Sequence, residues 1–120
     1  MISAIIIDDD RDTVEVFVDY MKILNVNVLA KGYCGKDAVE LYEKYKPDLV
    51  FLDLMMEDYD GFYALEKIRK INPDAKVIIV TADLRRDSEQ KLSELNPTKV
   101  LFKPFAPELL EEIVETYRNT

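Results

Sequence analysis

Three apolar runs without polar interruption stand out along the chain, at residues 4–7 (AIII), 49–52 (LVFL) and 77–80 (VIIV). Short runs that are rich in β-branched residues and do not alternate with polar ones are typical of strands buried on both faces. Two weaker runs, at residues 26–30 (VNVLA) and 99–102 (KVLF), indicate strands nearer the edges of a sheet. The pattern therefore predicts five strands.

Between these runs, apolar residues recur every three or four positions, as they do along one face of a helix. Four such stripes predict helices: Val14, Phe17, Val18, Met21 and Leu24; Ala38, Leu41, Tyr42 and Tyr45; Leu65 and Ile68 within residues 61–71; and Leu109, Leu110, Ile113, Val114 and Tyr117. Pro47 stops the second helix, the third ends before Asn72 and Pro73, and Pro107 suits the first turn of the last helix.

The segment from Leu84 to Leu95 has a sparser pattern, in which only Leu84, Leu92 and Leu95 are apolar. We expect a helix there that packs lightly and exposes most of its surface. The order is then strand–helix repeated five times, which implies a parallel sheet with right-handed crossovers and helices on both faces. The chain has 120 residues and no linker or low-complexity stretch, so we expect one domain over residues 1–120.

Composition limits the classes of function. The chain has 16 basic and 24 acidic residues, and this net charge of −8 argues against direct contact with nucleic acid, whose recognition needs clustered cations. The adjacent pair Arg85 and Arg86 is expected on a solvated helix face. Cys34, the lone cysteine, is expected to be a small, partly buried side chain in a reducing compartment. No basic leader or long apolar segment is visible, so we expect a cytoplasmic protein without membrane contact.

Polar side chains follow four of the five predicted strands. In a parallel α/β sheet, ligands bind outside the carboxyl ends of the strands, so these side chains are expected to meet at one edge. They are Asp8, Asp9, Asp53, Thr81 and Lys103. The second strand, predicted to end in Ala30, contributes none. Each residue alone is explained as a turn, cap or solvated residue, and Asp10 and Asp12 are assigned to the start of the first helix.

Taken together, the five side chains suit phosphoryl transfer. Neighbouring carboxylates disfavour ionisation of one another, and a hard cation such as Mg²⁺ relieves this. A carboxylate can also act as a nucleophile and become an acyl phosphate. Because the sequence contains no histidine, any chemistry must use carboxylates, hydroxyls and lysine. Lys103 and Mg²⁺ would neutralise the charge of the phosphoryl group, and Thr81 would donate a hydrogen bond to it.

In these motifs the sequence resembles the receiver domain of two-component response regulators, the group that includes the chemotaxis regulators. The segments that carry the resemblance are the acidic pair in IIIDDD, Asp53 in PDLVFLDLMMEDYDG, Thr81-Ala82 in VIIVTAD, Lys103-Pro104-Phe105 in VLFKPF, and Gly35 and Ala38 in GKDAVELY. The resemblance covers the whole chain. It implies the (βα)5 flavodoxin-like fold, a doubly wound five-stranded parallel sheet with strand order 2-1-3-4-5.

The resemblance also implies roles for these residues. Asp53 would accept a phosphoryl group from the phosphohistidine of a histidine kinase or a histidine phosphotransfer protein. The implied Mg²⁺ ligands are Asp8, Asp9, Asp53 and the backbone carbonyl of Met55. Thr81 would be the switch hydroxyl and Lys103 would bridge to the phosphoryl group, while Met55 and Asp83 lie at positions that influence the phosphoryl lifetime in the family.

The implied function is a signalling switch that catalyses only its own phosphorylation and dephosphorylation. Its fourth helix, last strand and last helix would control a downstream protein partner or an output domain. The sequence departs from the family at Glu57, where proline is common and a more mobile loop is therefore expected, and at Asn96-Pro97-Thr98, where Gly-Ala is usual. Val100 occupies the usual aromatic switch position, and Phe102 on the same face is not expected to replace it.

Two other functions remain open from the sequence. The DRDTV segment, residues 10–14, matches the D-x-D-x-[TV] pattern of haloacid-dehalogenase-like phosphatases, but Asp10 lies two positions later than that pattern needs. A receiver-like binding module without phosphorylation is the second. Binding of FMN is disfavoured, because aspartates after the first strand would repel its phosphate.

Overall fold

Five strands and five helices alternate along residues 1–83 and 85–118, which a computed structural model of the protein describes. They are β1 (Ser3–Ile7), α1 (Arg11–Ile23), β2 (Asn27–Gly32), α2 (Gly35–Tyr45), β3 (Leu49–Leu52), α3 (Gly61–Ile71), β4 (Val77–Thr81), α4 (Arg86–Leu95), β5 (Lys99–Phe102) and α5 (Pro107–Arg118). All neighbouring strands are parallel, in the order β2-β1-β3-β4-β5. The predicted fold class and strand order are confirmed.

Both faces of the sheet are buried, in two separate cores. Side chains of α1 and α5 pack with Ile6 and Phe51 on one face, and side chains of α2, α3 and α4 pack with Ile5 and Leu52 on the other. Successive residues of one strand point to opposite faces, which is why the central strands need uninterrupted apolar runs. With both faces covered, the open edge at the carboxyl ends of the strands is where polar side chains can gather.

The helical stripes line these cores, with two exceptions. Tyr45 and Leu109, predicted as core-facing, are exposed because each lies at the margin of its stripe. As expected, α4 packs lightly: only Ser88 and Leu92 are buried in it. The predicted first residue of that helix, Leu84, lies outside the described residues, and α4 begins at Arg86.

The second strand differs from its prediction. It runs from Asn27 to Gly32, whereas the apolar pattern placed it at residues 26–30 with its end at Ala30. The pairing with β1 shifts between Ala4 and Ile5 and then continues to the last residues of both strands. Backbone pairing with β1, which side-chain polarity does not reveal, therefore extends β2 beyond its apolar residues.

The departure at Asn96 has a structural reason. Asn96 follows the last residue of α4 with a φ of 53°, in the left-handed region that ends many helices. Glycine is the usual residue there, and asparagine tolerates the same conformation better than most other residues. The backbone carbonyl of Asn96 also accepts hydrogen bonds from Nε and Nη2 of Arg69, at 3.2 and 3.0 Å. Asn96 therefore ends α4 in the left-handed conformation without glycine.

Candidate functional site

Three carboxylates meet at the carboxyl ends of β1 and β3. Asp8 and Asp53 are buried, with only 5% and 7% of their surface exposed, while Asp9 is exposed. One carboxylate oxygen from each of the three lies within 4.8 Å of the others. Asp8 and Asp53 follow paired neighbouring strands, and the Asp53 amide donates to the Ile7 carbonyl at 3.0 Å. The parallel sheet thus brings together the three carboxylates that the sequence singled out.

Lys103 joins this acidic cluster from the far end of the chain. Its Nζ donates to Oδ2 of Asp8 at 2.9 Å and lies 3.9 Å from Oδ1 of Asp53. The amide of Lys103 donates to the carbonyl of Thr81 at 2.8 Å, which fixes the residue just beyond the pairing of β4 with β5. One ammonium group therefore lies next to two of the three carboxylates.

The charges of the cluster influence one another. Burial, together with the charge of Asp8, raises the pKa of Asp53 to about 6, although Lys103 acts in the opposite direction. Burial and the neighbouring Asp8 also raise the pKa of Asp9. Both shifts mean that the negative charge at this edge is only partly neutralised by the protein. Further positive charge would favour the ionised forms.

The donor set fits Mg²⁺. This ion prefers oxygen ligands at about 2.1 Å, so two of its ligands lie at most about 4.2 Å apart. The oxygens within 4.8 Å of one another need only small side-chain movements to meet that limit. Met55, whose backbone carbonyl is the fourth expected ligand, lies two residues after Asp53, and its role as a ligand stays a prediction.

Thr81 ends β4 at the same edge of the sheet, and its hydroxyl oxygen is bonded to the loop before α4 and not to Asp53. The residue is the last of β4 and fully buried. Its Oγ1 accepts a hydrogen bond from the amide of Asp83 at 3.0 Å, and no hydrogen bond joins it to Asp53 in the described part of the chain. Thr81 ends its strand as predicted. Its hydroxyl oxygen accepts a hydrogen bond from the loop before α4.

The remaining acidic residues of the DDDRD segment belong to α1, as predicted. Asp10 is the residue before the helix, and its carboxylate accepts from the amide of Asp12 at 3.3 Å and from Oγ1 of Thr13 at 2.6 Å. Asp12 lies in the first turn, where negative charge is favourable. The segment therefore divides into a site pair, Asp8 and Asp9, and a helix-start pair in which Asp10 is the cap and Asp12 lies in the first turn.

A second polar cluster, which was not predicted from the sequence, lies beside the site. The carboxylate of Asp83 accepts from the amide, Nε and Nη2 of Arg85 at 3.0, 2.9 and 3.0 Å, and from Oγ of Ser88. Arg85, predicted on a solvated helix face, instead precedes α4 and is paired with Asp83. The i, i+2 spacing of an aspartate and an arginine in a loop is the only sequence signal for this pair, and it is a weak one.

An apolar groove of about 440 Å³ lies next to Asp53, between α1 and the segment that leads into α5. Val16 and Tyr20 of α1 and Phe105 line it, together with Lys103. The helical stripe of α1 did not reveal it, because Val16 and Tyr20 lie outside the stripe and are exposed.

Residues 4–115 match the family model of the response regulator receiver domain. The chain belongs to this family. Among similar proteins, the response regulator VraR of Staphylococcus saprophyticus is 31% identical over 92% of this chain and 54% of its own length. The chemotaxis protein CheY of Listeria monocytogenes is 30% identical over 96% of this chain and 97% of its own length.

Solved structures share the receiver fold. The crystal structure of a DNA-binding response regulator of the LuxR family from Staphylococcus aureus has a TM-score of 0.91 and 31% identity, and covers 99% of this chain and 100% of its own. The BeF3-activated receiver domain of DrrB has a TM-score of 0.86 and 26% identity, and covers 100% and 99%. The receiver domain is thus part of the two-component signalling family.

The chain spans about half the length of several relatives that it matches: 54% of VraR and 52% of the C4-dicarboxylate response regulator DctR of Bacillus subtilis. By contrast, the chain covers 91% of the chemotaxis protein CheY of Thermotoga maritima and 97% of that of Listeria monocytogenes. Among the described helices of the receiver domain, none combines the length and apolar character that crossing a membrane requires.

Proposed function

We propose that the protein is a phosphorylation-dependent signalling switch in which Asp53 accepts a phosphoryl group from the phosphohistidine of a histidine kinase or a histidine phosphotransfer protein. The observation that carries this proposal is the environment of Asp53. It is a buried carboxylate at a strand end, within 4.8 Å of two further carboxylates and 3.9 Å from an ammonium group. Such a set suits a nucleophile whose product carries more negative charge than the protein alone can neutralise.

The chemistry assigned to Asp53 is a direct displacement. One of its oxygens would form a bond to phosphorus while the bond from phosphorus to the donor imidazole breaks, and the imidazole leaves with the electron pair. Lys103, already near Asp53, would move its ammonium group from Asp8 towards the transferred phosphoryl oxygens. Thr81 would turn its hydroxyl from Asp83 to the same group.

Asp8, Asp9, Asp53 and the carbonyl of Met55 would hold Mg²⁺, which supplies positive charge to the phosphoryl oxygens when bound. Asp8 is shared between this role and its hydrogen bond with Lys103. Ion binding would therefore leave Lys103 more available to the phosphoryl group. The chain would then catalyse only its own phosphorylation and dephosphorylation.

The phosphodonor is proposed to cover the groove beside Asp53. A donor histidine must approach Asp53 from the open edge of the sheet, and this groove supplies apolar surface there. Val16 and Tyr20 are 57% and 37% exposed although they are apolar or aromatic, which suits a surface that a protein partner buries.

On the output side, we propose that α4, β5 and α5 control a downstream protein partner or an output domain, as the greater length of VraR and DctR suggests. Phe102 is half exposed on this surface, and Val100, at the usual aromatic position, is partly buried. Residues 1–120 are proposed to act as a single receiver domain in the cytoplasm, without direct contact to nucleic acid or a membrane.

The haloacid-dehalogenase-like alternative has little support. It would require Asp10 to act as the nucleophile, and both carboxylate oxygens of Asp10 are engaged in capping α1. A receiver-like module without phosphorylation would have the same geometry as the proposed switch. Only a phosphorylation assay distinguishes the two.

Incubation with acetyl phosphate and Mg²⁺, followed by intact-mass measurement, tests the proposal. We expect one phosphoryl adduct in the wild type, none in Asp53→Asn, and an unchanged adduct in the control Asp58→Asn, which alters an exposed aspartate of the next loop. Absence of an adduct in the wild type would favour the non-phosphorylated module. Sustained hydrolysis of a generic phosphate ester would favour the phosphatase.

A further inference from the structure

The cluster around Asp83 links the buried switch position to the protein surface. The side chain of Asp83 is only 3% exposed, whereas that of Arg85 is 66% exposed. The guanidinium group holds both carboxylate oxygens of Asp83, and Ser88 of α4 donates to one of them. These hydrogen bonds fix the loop between β4 and α4 to the first turns of the helix.

The same loop holds the hydroxyl group of Thr81. The Asp83 amide donates to Oγ1 of Thr81 at 3.0 Å. Because the cluster fixes the carboxylate of Asp83, it also fixes the amide of the same residue. This bond leaves the hydroxyl hydrogen free but restrains Oγ1, so Oγ1 can move towards a phosphoryl group on Asp53 only if the bond breaks or the loop moves with the side chain.

Arg85 extends the connection to the loop after Asp53. Its Nη2 lies 3.5 Å from Sδ of Met55, which is two residues from Asp53. On the other side, Asp83 and Arg85 line a cavity of about 340 Å³ together with Val100 and Phe102. One exposed side chain thus contacts the loop after Asp53 and lines a cavity at the surface proposed for output.

We propose that Arg85, Asp83 and Ser88 form a latch that holds Thr81 in its resting position, and that Arg85 is a positioning residue whose release favours the phosphoryl-bound state. This inference rests on the proposed function. The latch contacts neither the three carboxylates nor Lys103 in the described chain. Its effect on phosphoryl binding is assigned to Thr81, and the contact of Arg85 with Met55 is the competing route.

The favourable interactions of the latch belong to the resting arrangement. Its hydrogen bonds hold the pKa of the Asp83 carboxyl well below the usual range, with Arg85 as the main cause. A state in which the loop moves loses part of this stabilisation, so the latch shifts the equilibrium towards rest. Removing the guanidinium group should therefore lower the free-energy difference between the two states.

Beryllofluoride, a stand-in for the phosphoryl group, provides the test at saturating Mg²⁺. We expect Arg85→Ala to bind it about fivefold more tightly than the wild type, a typical size for coupling between two sites. Arg86→Ala is the matched control, because Arg86 carries the same charge but its side chain has no hydrogen bond or ion pair among the described residues. It should bind like the wild type. Weaker or unchanged binding by Arg85→Ala would overturn the latch.

A second background tests the route through Thr81. In Thr81→Val, which lacks the hydroxyl, the added Arg85→Ala change should leave the beryllofluoride affinity unchanged. An equal tightening in both backgrounds would show that Arg85 does not act through Thr81 and would overturn the proposal. NMR three-bond couplings of Thr81 in the metal-free protein should also show more rotamer averaging in Arg85→Ala.

The same experiment separates this inference from the proposed function. If the wild type does not bind beryllofluoride with Mg²⁺, the phosphoacceptor role fails and the latch fails with it. If the wild type binds and Arg85→Ala binds equally, only the latch is wrong. Melting curves for each variant confirm that the affinities come from folded protein.

Discussion

Nζ of Lys103 lies 2.9 Å from Oδ2 of Asp8, although 95 positions separate the two residues in the chain. Asp8 follows β1 and Lys103 follows β5, so the contact joins the carboxyl ends of these two strands. It is shorter than the 3.9 Å that separates the same ammonium group from Asp53. In the phosphoryl-free protein, therefore, the lysine chiefly neutralises a proposed metal ligand and not the proposed nucleophile.

Removal of this ammonium group should destabilise the metal-free protein. We expect Lys103→Met to lower the free energy of unfolding by about 1–3 kcal/mol near neutral pH, because buried Asp8 loses a charged partner. Urea unfolding in EDTA measures the change. The control Lys99→Met removes an exposed lysine of β5 that has no ion pair among the described residues, and it should cost much less. Equal stabilities of the two variants would contradict the role given to the Lys103–Asp8 pair.

Mg²⁺ should raise the melting temperature, because a ligand that binds only the folded state stabilises it by mass action. Asp9→Ala should reduce this increase and slightly stabilise the metal-free protein, since it removes repulsion from Asp8. Asp19→Asn, an exposed change on α1, is the control and should leave the increase intact. Thermal melts over a Mg²⁺ series measure the effect. If Asp9→Ala stabilises the metal-free protein but keeps the full Mg²⁺ effect, the ligand assignment is wrong.

The sequence predicted the gathering of the acidic residues because their positions follow from simple constraints. The apolar runs before Asp8 and Asp53 are typical of buried strands, and parallel strands bring their carboxyl ends to one edge. The same reasoning placed Lys103 there. It did not reveal which carboxylate the lysine would contact, since that depends on side-chain distances of about 1 Å that no sequence pattern contains.

Other features depend on contacts that polarity patterns do not record. The end of β2 at Gly32 results from backbone pairing with Ile7, which leaves no apolar signal. Arg85 was predicted on a solvated helix face because it is one of two adjacent arginines, and its pairing with Asp83 leaves no apolar signal. The engagement of Thr81 with the Asp83 amide could not be foreseen either, because a threonine at a strand end is compatible with several hydrogen-bond partners.

The raised pKa of Asp53 predicts a dependence of stability on pH in the metal-free protein. Its folded-state pKa of about 6 exceeds the ordinary value of 3.8, so the stability it contributes is complete below about pH 4 and is lost as the pH rises through 6. Near pH 7.5, Asp53→Asn should therefore be more stable than the wild type in EDTA, by about 1–2 kcal/mol after allowance for solvent screening.

Chemical unfolding at several pH values tests this dependence. The advantage of Asp53→Asn should shrink as the pH falls towards about 4, where the wild-type carboxyl is protonated as well. Asp58→Asn, which alters an exposed carboxylate, should show no comparable trend. If Asp53→Asn is less stable than the wild type at every pH tested, burial and the charge of Asp8 do not destabilise the ionised carboxylate of Asp53.

Substitution in the groove should separate donor docking from phosphoryl chemistry. Tyr20→Glu introduces a charge into the apolar surface beside Asp53, and we expect phosphotransfer from a histidine phosphodonor to fall about tenfold or more, as for loss of a well-buried interface residue. Labelling by acetyl phosphate should not change, because this small donor needs no docking surface. Ile71→Glu, at an exposed apolar position of α3 outside the groove, is the control. A parallel loss with both donors would place the effect of Tyr20→Glu on the site itself, whereas no loss with either would exclude the groove as the docking surface.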